Sequence, residues 1–151
     1  MSSDKDIVIT SAFRTPIGSF QGSLKDHKAT ELGTAVVKKC MEHSNLNGSE
    51  VDTVILGQVL QTGCGQNPAR QAAINSGIDK DKTATTINQV CGSGLAAVTL
   101  GFNSLKLNDT NIVIAGGQEI MTNSPHYLNY RMEKNLSEEK LKDSMLIDGL
   151  I

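Results

Sequence analysis

The sequence predicts an α/β fold with a mainly parallel sheet covered by helices. Three observations carry the expectation. Short β-branched runs alternate along the chain with helical stretches, so successive strands need crossover connections. The apolar residues are mostly Ile, Val, Leu, Ala and Met, with 14 Gly, 3% aromatics and no Trp; that palette suits helices laid close on a sheet. Residues that form turns punctuate nearly every change of pattern.

Ile7–Ala12 is a β-branched run, read as a buried strand, and Arg14-Thr15-Pro16-Ile17-Gly18 opens a loop lasting to about Lys28. From Ala29, residues Leu32, Val36, Val37, Cys40 and Met41 share one helical face, and Asn45–Ser49 ends that helix. Thr53–Leu60 is the second strand, and a loop with Gly63, Cys64 and Gly65 follows. Asn67-Pro68 pairs an N-cap side chain with proline at the first helical position, and the helix so begun runs to Gly77. Thr83–Val90 predicts a third strand, Cys91 to about Leu107 a helix, and Asn111–Gly117 a fourth strand. From Ser124 to Lys142, Pro125 and clustered charges replace the periodic pattern, which marks an excursion from the layered core. The expected division is therefore 1–122 as an α/β unit and 123–151 as the start of something else. The chain ends in the apolar run Gly149-Leu150-Ile151 and reads as cut rather than finished.

A formal net charge of −2, without a basic stripe interleaved with aromatics, argues against nucleic acid as the partner. The polar N-terminus carries no leader pattern, and no apolar run has membrane-spanning length, so a cytoplasmic protein without a membrane span is expected. Cys40, Cys64 and Cys91 are odd in number and lack metal-ligand spacing, which points to reduced thiols and no metal. Cys40 lies on an apolar helix face and reads as packing; Cys64 reads as a surface or interface thiol. His27 and His43 sit in polar surroundings and read as solvated.

Cys91 is different. In Asn88-Gln89-Val90-Cys91-Gly92-Ser93-Gly94 it stands where a strand ends and a helix begins. Free backbone N–H groups and the positive end of the helix favour an anionic sulfur there, and an oxyanion beside it. Gly92 and Gly94 remove side chains, so a substrate can come close. On physical chemistry alone, a nucleophile and a buried structural thiol both remain open.

The run Asn88–Gly94 resembles the active-cysteine motif of thiolases. So do Ser11–Gly18, Gly57–Leu60 with Gly65–Ala73, and Ala115–Met121 followed by Ser124-Pro125-His126, which together span the chain in order. Among thiolases the chain looks most like the acetyl-CoA acetyltransferase branch. The resemblance implies a thiolase-like layered fold built from two α/β halves, of which this chain is the N-terminal half and the start of a loop domain; its sheet would be mainly parallel but mixed.

The resemblance also implies acyl transfer between coenzyme A thioesters through an acyl group on Cys91, whose N–H contributes to an oxyanion hole. Acetyl-CoA and acetoacetyl-CoA would be the substrates, with no permanently bound cofactor and a homodimer or homotetramer as the assembly. Leu150 matches a position near the pantetheine arm. The activating His and second Cys of thiolases have no counterpart here, so the chain alone is expected to be inactive. His126 matches a loop-domain position and reads as structural. Gln118 stands where thiolases usually carry Met, and Arg14, Asn67 and Arg70 read as loop and subunit supports rather than anion binders. Two other readings stand beside this one: a non-catalytic fragment or assembly partner, and a condensing enzyme that uses acyl carrier protein.

Overall fold

The computed structural model describes residues 6–131 and 140–151. Three parallel strands form its centre. β1 (Thr53–Gly57) lies between β2 (Thr83–Ile87) and β3 (Val113–Gly117), with Thr53 level with both Thr83 and Val113. All five β1 residues are buried, as a strand covered on both faces requires, and this is why its sequence is a continuous apolar run rather than an alternating one.

Alternate β1 side chains feed two layers. Val54 and Leu56 join Val37 and Met41 of α1 (Ala29–His43) and Ala69, Ala72 and Ala73 of α2 (Pro68–Asn75) in one core cluster. Gly57 faces the other way, against the start of α3 (Ser93–Lys106). A Cβ on Gly101 would lie 3.0 Å from Val113 Cγ1, so α3 rests directly on β3.

Side-chain oxygens tie the starts of α1 and α2, the second at the Asn67-Pro68 start expected from sequence. The Lys28 N–H donates to Glu31 Oε2 at 3.1 Å as α1 begins, and Asn67 caps α2 by accepting from the Arg70 N–H at 3.2 Å. Asn67 takes a left-handed φ of 39°, which its short polar side chain tolerates. That side chain also donates to the Ala84 carbonyl at 2.9 Å, tying α2 to β2. Past Asn123 the chain forms a short antiparallel pair, β4 (His126–Tyr127) with β5 (Lys142–Asp143), and then α4 (Ser144–Gly149). No described helix is long and apolar enough to cross a membrane.

Several expectations need correction. Ile7–Ala12 is not a strand: it has no ladder partner among the described residues, and Val8 and Ile9 are 71% and 83% exposed. A β-branched run forms a strand only where a neighbour supplies backbone partners and cover. β1 and β2 are shorter than expected, because the chain turns once its C-terminal ends have bonded to their neighbours: Gln58 N–H to Ile87 O at 3.0 Å, and Gln118 N–H to Gly57 O at 2.9 Å. The sheet expected as mainly parallel is parallel throughout its three described strands, and the antiparallel pair stands apart from it. The expected excursion at 124–142 falls partly outside the described residues.

Candidate active site

Three loops that follow the three parallel strands meet at one place: Gln58–Leu60 after β1, Asn88–Gly92 after β2 and Gln118–Ile120 after β3. Cys91 stands in the second, exposed, two residues before α3. The turn that carries it is strained and heavily tied. Val90 has φ 50°, a left-handed value that costs a β-branched residue about 1–3 kcal/mol. Its N–H bonds to Asn88 Oδ1 at 2.9 Å. Buried Ser93 accepts the Gln89 N–H on Oγ at 2.8 Å and donates from the same hydroxyl to Val90 O at 2.6 Å.

The turn also has a hard floor. A Cβ on Gly57 would lie 2.5 Å from the Ser93 carbonyl carbon and 2.8 Å from Gly94 N. Gly57 therefore lets the head of α3 sit directly on β1. Strain at Val90 persists because these contacts leave the turn no other shape.

Cys91 opens onto a cavity of about 390 Å³ whose other walls include Val90, Glu119, Met145, Gly149 and Leu150. The two residues singled out from sequence, Cys91 and Leu150, thus line the same space. Leu150 follows α4, a helix fastened by Asp143 Oδ1, which accepts the Met145 N–H at 2.9 Å, and by Thr62 Oγ1 bonded to Asp148 Oδ2 at 2.9 Å.

Glu119 was part of a recognised motif but had no assigned role. Its Oε2 accepts the N–H groups of Val59 at 2.8 Å and Leu60 at 3.3 Å. Although the residue keeps one side open to solvent, its carboxyl is crowded by protein atoms. Burial raises its pKa above the usual range, partly offset by hydrogen bonds from the backbone N–H groups of Val59, Leu60 and Ile120. Beneath it, Gln58 is 1% exposed. Gln58 accepts from Gln118 Nε2 at 2.8 Å and donates to Leu60 O at 2.9 Å and Cys64 Sγ at 3.3 Å. Cys64, expected at a surface or interface, is half-buried and held in this network. The Gln118 Oε1 atom is buried without a partner among the described residues and lies against Gly33, where a side chain would collide with it.

The remaining polar residues mostly play supporting parts. Arg70 donates to the carbonyls of Lys80 and Lys82, and Arg14 to that of Thr15. His27 is exposed near Glu31, and His43 is exposed with its ring edge-on to Phe13. His126 lies 3.9 Å from Asp143 across the β4–β5 pair, and Cys40 is half-buried.

Comparison with known proteins gives the family. Residues 7–151 match the family described as "Thiolase, N-terminal domain". The chain is 50% identical over 147 residues to a probable acetyl-CoA acetyltransferase of Escherichia coli, covering 97% of this chain and 37% of that protein. It is 48% identical to an acetyl-CoA acetyltransferase of Pseudomonas aeruginosa, with 97% of this chain and 37% of that protein covered. The crystal structure of Acat5 thiolase from Ascaris suum in complex with coenzyme A superposes with a TM-score of 0.89 at 38% identity, covering 96% of this chain and 38% of that one. The chain therefore spans little more than a third of the length of these relatives, and by the match from residue 7 to residue 151 it belongs to the thiolase family.

Proposed function

We propose that this chain supplies the acyl-accepting cysteine of an acetyl-CoA C-acetyltransferase. The observation that carries the reading is the placement of Cys91 on a strained, heavily tied turn ahead of α3, on the wall of the cavity that Leu150 also lines. The Cys91 thiolate attacks the acetyl-CoA carbonyl, the bond from that carbon to the coenzyme A sulfur breaks, and the acetyl group stays on Sγ. The Cys91 backbone N–H contributes to stabilising the oxyanion of the intermediate, whereas those of Gly92 and Ser93 are already bonded to Gln89 O and Val90 O. A second acetyl-CoA, deprotonated at its methyl carbon, attacks the acyl group, giving acetoacetyl-CoA and returning the thiolate; the reverse sequence is thiolysis. Leu150 contacts the pantetheine arm, and residues 123–151 open the loop domain that holds it. The proton-transfer groups come from the part of a thiolase that this chain does not span. Coenzyme A thioesters are substrates, the assembly is a homodimer or homotetramer, and the compartment is the cytoplasm.

Intact-mass spectrometry of the protein as its gene encodes it, after incubation with acetyl-CoA, tests the reading. One acetyl group should be added, found on the Cys91 peptide after digestion, and be absent in Cys91→Ser, because an alcohol is a much weaker nucleophile. Equal acetylation of the Ser variant sinks the assignment. Exposed Leu95, Val98 and Phe102, at helical spacing on α3, favour association of the 151-residue chain when it is produced alone.

A further inference from the structure

We propose that Glu119 is a positioning residue: by holding the Val59–Leu60 turn it sets where the Gly149–Leu150 wall stands relative to Cys91. The inference rests on the acyl-transfer reading and adds a residue to its machinery. Among the described residues, Cys91 and Glu119 are the two ionisable groups on the cavity wall. They come from different strand ends, so Glu119 links the loop after β3 to the loop after β1.

The physical chain runs through three contacts. First, two consecutive N–H groups, those of Val59 and Leu60, converge on one carboxylate oxygen. Such charge-assisted bonds are the strong class, and they fix the direction in which the two side chains leave the backbone. Second, Leu60 is buried and lies directly under Gly149: a Cβ there would be 2.9 Å from Leu60 Cδ2 and 3.8 Å from Val59 Cγ1. The end of α4 thus rests on the turn with no spare space. Third, Thr62 bonds to Asp148 on the same side, so the segment 59–62 carries the C-terminal turn of α4 at two points. Leu150 follows immediately. If Glu119 lets go, the turn relaxes and the wall moves with it.

A wall that binds substrate and transition state alike changes KM more than kcat. A purely structural role would lower stability and leave both unchanged. The experiment uses the protein as its gene encodes it, with Glu119→Ala, Glu119→Gln and Gly149→Ala. Steady-state kinetics with acetyl-CoA are measured beside hydrogen exchange of the peptide containing Val59 and Leu60. Glu119→Ala should raise KM about tenfold, the size of one lost charge-assisted bond, with kcat within about threefold and faster exchange at that peptide. Glu119→Gln keeps an acceptor oxygen at the same reach but not the charge, and should recover both readouts in part. Gly149→Ala, which pushes the wall from its other side, should raise KM with exchange unchanged.

Wild-type KM and exchange in Glu119→Ala would overturn the proposal. So would a Gln variant as impaired as Ala, since charge rather than anchoring would then matter. If the wild-type protein fails to acylate Cys91, the acyl-transfer reading falls on its own. The exchange contrast between the Ala and Gln variants still decides the anchor in that case.

Discussion

Replacing Gly57 by Ala isolates what the close approach of β1 to α3 contributes. The added Cβ would lie 2.5 Å from the Ser93 carbonyl carbon, 2.6 Å from Ser93 Cβ and 2.8 Å from Gly94 N. Ordinary contact begins at 3.4 Å, so the head of α3 must retreat by about 0.9 Å, and overpacking of this kind costs roughly 1–3 kcal/mol. The colliding atoms are mostly backbone, so no rotamer change absorbs the clash. Ser93 carries the bonds to Gln89 and Val90 with it, and Cys91 is displaced. A misplacement near 1 Å at a reacting group costs about a hundredfold in rate. Rapid-quench measurement of Cys91 acetylation, with urea unfolding alongside, reads both effects. Gly101→Ala is the control: its Cβ meets the Val113 side chain at 3.0 Å, two turns along the same helix and away from the turn. It should cost stability without slowing acylation by more than about twofold. If Gly57→Ala loses stability yet acylates at the wild-type rate, the close approach does not set the nucleophile's position.

Two further substitutions probe the ties at either end of the strands. Ser93→Ala removes both hydroxyl bonds of the Cys91 turn and should lower stability by about 1–3 kcal/mol in urea unfolding, with slower acylation as Val90 leaves its left-handed conformation. Asp52→Ala removes the carboxylate that accepts from Asn111 N–H at 2.7 Å and Ile112 N–H at 3.1 Å. Those bonds, then the nearby Lys82 charge, hold the Asp52 pKa below the usual range. A depressed carboxyl stabilises the fold above its unfolded value and loses that contribution as pH falls through the folded value. The stability difference between wild type and Asp52→Ala should therefore be full at neutral pH and shrink in acid, as thermal unfolding across that range would show.

Much of the fold was legible because local and global requirements agree. α1 shows its apolar face and α2 its Asn67-Pro68 start, and both elements lie where those signals put them. The strand expected at Ile7–Ala12 failed because pairing is a property of two segments, and one segment's residues carry no information about a missing neighbour. The β4–β5 pair was not visible, since two-residue strands have no period to read. At the site, Cys91 could be singled out from its own surroundings, whereas Leu150 came only through resemblance: nothing within Asp148-Gly149-Leu150 says what it faces. Glu119 escaped assignment for a related reason. Its partners are backbone N–H groups some sixty positions away, which no sequence pattern advertises.

Because all three central strands run in the same direction, the sheet has two rims with different duties. At the starting rim, the Thr83 hydroxyl donates to that of Thr53 at 2.8 Å, and Asp52 clasps the entry to β3. At the finishing rim, each strand releases one loop into the cavity around Cys91. Changes at the starting rim should therefore alter only how well the molecule survives heat or acid, whereas changes at the finishing rim should alter what it does as well. The nucleophile loop is held strained by its own ties at the finishing rim, and the ties at the starting rim add stability that offsets that strain.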